Sequence, residues 1–189
     1  IGTLYKKFDF KIGYTYKTDP ISGAALRGDK PNSYILRSLN LDREHSFFTS
    51  ISKTFTKNWW NSTNTISMNL TKSIDDFYGY ALGPVKPQIY LYSNNTFTIP
   101  NLFKIQLLAW YLGNKSYGLG SDNSRSTVTL GIERNFFKDA LKLNFTANDI
   151  FHDFMVSGDY NVGQTQIYYH RTYTTNYFRL MAIYSFGNS

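Results

Sequence analysis

The sequence predicts an all-β fold, an antiparallel transmembrane β-barrel wall of about eight strands. Three observations predict it. Apolar and polar residues alternate with period 2 in segment after segment. Short polar turns alternate with long stretches rich in Gly, Pro, Asn and Asp. Aromatic residues gather where the alternating segments meet the short turns.

The alternation is clearest in four places. Phe8, Phe10, Ile12, Tyr14 and Tyr16 interleave with Asp9, Lys11, Gly13, Thr15 and Lys17. Ile66, Met68 and Leu70 interleave with Thr65, Ser67, Asn69 and Thr71. Val128, Leu130 and Ile132 do so with Thr127, Thr129, Gly131 and Glu133, and Leu141, Leu143 and Phe145 with Lys142, Asn144 and Thr146. A strand with one apolar and one polar face produces this pattern, whereas a helix would carry those polar residues through its buried stripe. Two segments are less regular. Ser93 and Asn95 interrupt the apolar parity of Ile89, Leu91, Phe97 and Ile99, and residues 104–112 are partly apolar on both faces. Their Tyr, Thr and Phe content still favours strand.

Short turns fall near Lys57-Asn58, Pro100-Asn101 and Lys138-Asp139, and long loops are expected at 19–33, 75–86, 113–124 and 152–164. A barrel with short turns at one rim and long loops at the other has this layout. The first strand is read as residues 4–17 and the last as 176–186, with both termini at the short-turn side. A soluble β-sandwich would alternate too, but two features favour lipid. The polar parity is rich in Asn, Thr, Ser and Lys, and the aromatics Trp59, Trp60, Phe136 and Phe137 sit beside the turns as interface girdles do.

Composition narrows the function classes. The longest apolar run, residues 107–112, has 6 residues, against about 20 for a transmembrane helix. There is no cysteine, which excludes disulfides, thiolate metal sites and a Cys nucleophile. The net charge of +7 is scattered, with only Lys6 and Lys7 adjacent, so no nucleic-acid partner is expected. The three histidines are His45, His152 and His170. Asp149, His152 and Asp153 cluster at a strand end, where a His can serve as general base, but Asp at a loop entrance is more often turn chemistry. The chain is read as a non-enzyme. Asp75, Asp76 and Asp122 are read as solvated carboxylates, and neither a metal nor another cofactor is expected. In the long loops, Tyr78, Tyr80, Tyr117 and Tyr160 offer stacking area with a polar tip, suited to capturing a glycan, a peptide or a metal chelate. Packing of loop against loop is the alternative use of the same rings.

Near the C-terminus, Phe178, Leu180, Ala182, Tyr184 and Phe186 share one parity. This ending resembles the assembly signal of outer-membrane proteins. Further stretches carry a wider resemblance: Ser52-Lys53-Thr54-Phe55-Thr56-Lys57-Asn58-Trp59-Trp60-Asn61, then Asn95-Thr96-Phe97-Thr98-Ile99-Pro100 with Phe103-Lys104-Ile105, then residues 141–151, and Arg179 with Tyr184-Ser185-Phe186-Gly187. Over most of residues 45–187 the chain resembles the C-terminal part of the barrel of TonB-dependent receptors, in the outer-membrane β-barrel family that shares that barrel. None of these motifs is catalytic, so their order and spacing carry the resemblance.

The resemblance implies a segment of a barrel of about 22 strands, with N-terminal strands and a plug outside this sequence. It implies nutrient uptake in the bacterial outer membrane. The partners it implies are membrane lipid, the barrel assembly machinery and a surface lipoprotein or other outer-membrane subunits. A scaffold barrel in a larger complex and a free-standing eight-stranded barrel are the alternatives. Phe10, Ile12, Met68, Leu130, Ile132, Leu143 and Phe145 are expected to face lipid, with Leu143 near mid-bilayer. Lys11, Asn69, Thr129, Lys142 and Asn144 are expected to face the lumen.

Overall fold

Alternation that buries only one face leaves the backbone to satisfy itself strand to strand, and the chain does so throughout. The computed structural model describes residues 2–5, 8–31, 33–80, 82–162 and 165–186, and none of these is helical. In chain order the strands are β1 (Gly2–Tyr5), β2 (Phe8–Thr18), β3 (Ile21–Arg27), β4 (Tyr34–Asn40), β5 (Arg43–Thr56), β6 (Trp60–Ile74), β7 (Pro87–Ile99), β8 (Phe103–Leu112), β9 (Lys115–Tyr117), β10 (Gly120–Asp122), β11 (Arg125–Phe136), β12 (Leu141–Asn148), β13 (Met155–Val162), β14 (Thr165–Thr172) and β15 (Tyr177–Tyr184). One antiparallel sheet of 9 strands runs β1-β2-β5-β6-β7-β8-β11-β12-β15. Among the described residues its edges, β1 and β15, do not pair with each other.

The register makes the two faces explicit. Phe10 lies opposite Ile51, Ile51 opposite Ile66, and Ile66 opposite Leu91, a continuous apolar row. Leu107, Leu130, Ala147 and Phe178 form another. Large side chains in these rows point away from the protein, Ile66 being 55% exposed and Phe178 70%, while the small Ala147 is buried. Every residue expected to face lipid lies on this apolar face, and every one expected to face the lumen lies on the other. The polar face is laced together by side chains, including Ser67 to Ser50 (2.9 Å), Ser52 to Thr65 (2.7 Å), Gln106 to Asn94 (3.0 Å) and Thr129 to Asn148 (2.8 Å). Lys11 is exposed and Lys142 half-buried, and both are ion-paired, to Asp9 and Glu133.

The break at Ser93 and Asn95 has a local cause. Trp60 Nε1 donates to Asn95 Oδ1, Asn95 to Ser93, Ser93 to Asn64, and Asn64 to Ser62, at 2.7–3.1 Å. A polar seam that satisfies itself can sit on an apolar face at little cost.

Three expectations are corrected. Residues 4–17 are not one strand. β1 and β2 form a hairpin, with Gly2 opposite Lys11 and Tyr5 opposite Phe8; Lys6 and Lys7 lie outside the described residues, as does Gly187. A period-2 pattern does not show where a strand folds back on itself. The connection at 75–86 is a loop as expected, but those at 19–33, 113–124 and 152–164 are not plain loops. β3 and β4 make a hairpin, and β14-β13-β10-β9 make a separate sheet against which β3 packs. Last, Leu143 lies opposite Arg134, two residues from the start of β12, and so sits near the short-turn rim rather than mid-sheet.

The hydrophobic core lies in these long connections, outside the wall. Ala24 and Leu119 are buried together, with Leu26, Leu39, Tyr80 and Leu82 packed on them. Gly118, at φ +44, closes the β9–β10 turn where any Cβ would collide with Ser22.

Candidate functional site

A cleft of about 840 Å³ opens where the polar face of the wall meets the long-loop sheet. The wall supplies Tyr90, Trp110, Leu112 and Arg125 from β7, β8 and β11. All four have the parity of the polar face, which explains why residues 104–112 are apolar on both sides. The long-loop end supplies Tyr117 and Asp122 from β9 and β10, Phe154 and Tyr160 at and beside β13, and Tyr169, Arg171 and Tyr173 at and beside β14.

The rings brace one another. Trp110 meets Phe154 edge-on at 6.0 Å, Phe154 meets Tyr173 at 6.0 Å, and Tyr160 lies 5.5 Å from Tyr169. The Arg171 guanidinium sits 5.7 Å from the Tyr169 ring centre. Tyr169 donates its hydroxyl to Asp122, and Tyr117 reaches the same carboxylate at 3.5 Å. Burial, followed by the hydrogen bond to Asp122, pushes the Tyr169 phenol up to about 12. Burial also raises Tyr117 far above the ordinary phenol range. Both phenols therefore stay protonated and present hydroxyls, not nucleophiles. Among the described residues neither Arg125 nor Arg171 has a carboxylate partner within salt-bridge distance. The cleft thus combines flat apolar rings, hydroxyls and two free guanidinium groups around one carboxylate.

Two of the four loop tyrosines, Tyr117 and Tyr160, line this cleft. Tyr78 and Tyr80 do not. They stack on each other at 5.6 Å, and Tyr80 packs into the loop core. Asp75 holds their turn by accepting the backbone N–H groups of Phe77, Tyr78 and Tyr80 at 3.0–3.1 Å. Burial opposes its charge, but those three donors keep the carboxyl below its ordinary value. Asp76 pairs with Arg43 at 2.5 Å.

Trp110, Phe154, Tyr169, Arg171 and Tyr173 were not singled out by sequence reasoning. Tyr169, Arg171 and Tyr173 alternate with Tyr168, His170 and Thr172, and neither parity is plainly apolar, so the strand leaves no clear period-2 signal. Asp149 is an anchor: wholly buried, it accepts from Thr127, Thr175 and the amides of Asp153 and Phe154, and among the described residues no histidine side chain hydrogen-bonds to it.

At the opposite rim, Trp59, Trp60, Phe55 and Phe97 stack within 6.2 Å of one another in successive pairs, and Phe136 ends β11 beside Phe137, the first residue of the β11–β12 turn. Phe178, Leu180, Ala182 and Tyr184 share the apolar face opposite Ala147, Phe145, Leu143 and Leu141, and Phe186 beyond them is 90% exposed.

Residues 2–186 match the family described as the outer membrane protein beta-barrel family. No curated protein and no solved structure matches the chain.

Proposed function

The chain belongs to the outer membrane protein beta-barrel family and lies in the bacterial outer membrane, and from that premise we propose that it forms part of a receptor-type barrel of the TonB-dependent kind, taking up a nutrient. The aromatic cleft carries this reading. It sits at the long-loop end, which in outer-membrane barrels faces the cell exterior, and on the polar side of the wall, where a ligand would enter. Its rings suit the apolar faces of sugar units, and its hydroxyls and guanidinium groups suit their polar rims. A glycan is therefore the ligand class we favour over a peptide or a metal chelate.

The open edges of the sheet support a larger barrel over a free-standing one. The described sheet has edges at β1 and β15, and an unsatisfied strand edge in hydrocarbon costs several kcal/mol for each backbone group. Further strands of the same barrel and a plug are the proposed partners at these edges and on the polar face. The assembly machinery is the proposed reader of β15, and a surface lipoprotein or another outer-membrane subunit a proposed partner above the cleft.

Titrating oligosaccharides, peptides and ferric chelates while following tryptophan fluorescence tests the reading, since Trp110 lines the cleft. A glycan should change the emission, and Tyr160→Ala should weaken binding by about tenfold, the loss of one stacking platform. Absence of binding by every glycan, or full binding by Tyr160→Ala, would overturn it.

A further inference from the structure

Three lysines on the polar face of the wall meet carboxylates: Lys17 is 2.8 Å from Glu44, Lys11 3.4 Å from Asp9 and Lys142 3.5 Å from Glu133. The register puts no acidic residue of the 9-stranded sheet on the apolar face, among the described residues. Yet that face carries Lys53 and Arg134 close to the short-turn rim.

The two are built alike. Lys53 Nζ lies 4.2 Å from the Phe8 ring centre and 4.4 Å from that of Phe55. Arg134 Cζ lies 5.1 Å from Phe103 and 4.9 Å from Phe136. In each case one ring comes from the neighbouring strand and the other stands two residues nearer the turn on the same strand. Each cation therefore leans toward the rim, the direction in which a long basic side chain reaches for headgroups. The rings supply a cradle but no counter-charge. Four strand spacings of about 4.8 Å separate the pair by roughly 19 Å, too far to share one small anion.

We propose that Lys53 and Arg134 are two separate binding points on the lipid-facing surface for the phosphate groups of anionic phospholipids in the periplasmic leaflet. This rests on the family's orientation in the membrane, with short turns in the periplasm, and is independent of what the cleft captures. Each cation gains the counter-charge it lacks, and the flanking phenyl rings pack beside the first acyl methylenes. The Lys53 site lies beside the polar seam, since Asn64 is its cross-strand neighbour.

The test reconstitutes the protein in phosphatidylcholine vesicles in which either phosphatidylglycerol or part of the phosphatidylcholine is brominated. Quenching of Trp59 and Trp60 then reports lipid beside Lys53, because the Trp60 ring lies 6.2 Å from that of Phe55. Native mass spectrometry of the detergent-purified protein counts the lipid retained at both points. Phosphatidylglycerol should be preferred by about fivefold per cation. Lys53→Gln and Arg134→Gln should each remove their share, Lys53→Arg should keep it, and Lys104→Gln on the polar face should change nothing. Equal affinity of the unaltered protein for the two lipids would overturn the proposal whether or not any variant folds. So would an undiminished preference in both glutamine variants, or an equal loss in Lys104→Gln.

Discussion

Arginine placed at Ile66 measures how deep the wall sits in lipid. Ile66 is in the middle of β6, on the apolar face, between Ile51 and Leu91. It stands six residues beyond Trp60, which at 3.3 Å per residue and a tilt near 40° is about 15 Å above the girdle. The apolar band of such barrels is about 25 Å tall, so Ile66 falls near its centre, where arginine costs about 2–4 kcal/mol. Thr65, next in sequence, points to the polar face and hydrogen-bonds Ser52 at 2.7 Å. Thr65→Arg loses that bond and should cost about 1 kcal/mol. Leu143→Arg provides the depth control. Leu143 is level with Arg134 and two residues from the start of β12, about 5 Å above the rim, where the cost falls to about 0–1 kcal/mol. Equilibrium denaturation from phospholipid vesicles, followed by tryptophan emission, gives the three values. Equal costs at Ile66 and Thr65 would refute the assignment of faces. A cost at Leu143 as large as at Ile66 would refute the depth.

The β11–β12 turn holds Phe137, Lys138 and Asp139 in succession at positive φ, between 53° and 71°; Lys138→Gly relieves about 1–2 kcal/mol of left-handed strain against about 0.5–1 kcal/mol of added unfolded-state entropy, so it should raise the denaturation midpoint slightly. Asp149→Ala leaves the hydroxyls of Thr127 and Thr175 and the amides of Asp153 and Phe154 without their acceptor, which should cost about 1–3 kcal/mol and raise hydrogen exchange across 149–154. Asp75 has a folded pKa below its unfolded 3.8, so the stability it adds is complete above the unfolded value and lost as pH falls through the folded one. Amide protection at Phe77, Tyr78 and Tyr80 should accordingly persist at mildly acidic pH and vanish only below the ordinary carboxylate range, and Asp75→Ala should remove it at neutral pH.

The wall was legible because a membrane sheet repeats one constraint at every second residue. Phe10, Met68, Leu130 and Phe145 each have polar neighbours in sequence, and no other face could be buried. The long connections were not legible in the same way. Their strands are short, their core is a few small residues such as Ala24 around Leu119, and Gly118 is fitted to Ser22 across the fold. The cleft was half legible. Tyr117 and Tyr160 stood out as loop aromatics, but Trp110 sits inside a wall strand, where its ring reads as ordinary apolar content until the register puts it on the polar side. The β1–β2 hairpin was hidden because its first arm is only four residues long and no Gly, Pro, Asn or Asp separates Tyr5 from Phe8 in the sequence.

Single-cysteine labelling tests most directly the claim that the cleft end faces the cell exterior and the aromatic rim the periplasm. The chain has no native cysteine, so one introduced thiol reports alone. Tyr168, 74% exposed on the long-loop sheet, and Asn58, exposed in the β5–β6 turn, mark the two ends. The account predicts that Tyr168→Cys reacts with a membrane-impermeant maleimide on intact cells, and that Asn58→Cys reacts only after the outer membrane is permeabilised. Labelling of Asn58→Cys on intact cells with Tyr168→Cys protected would contradict it.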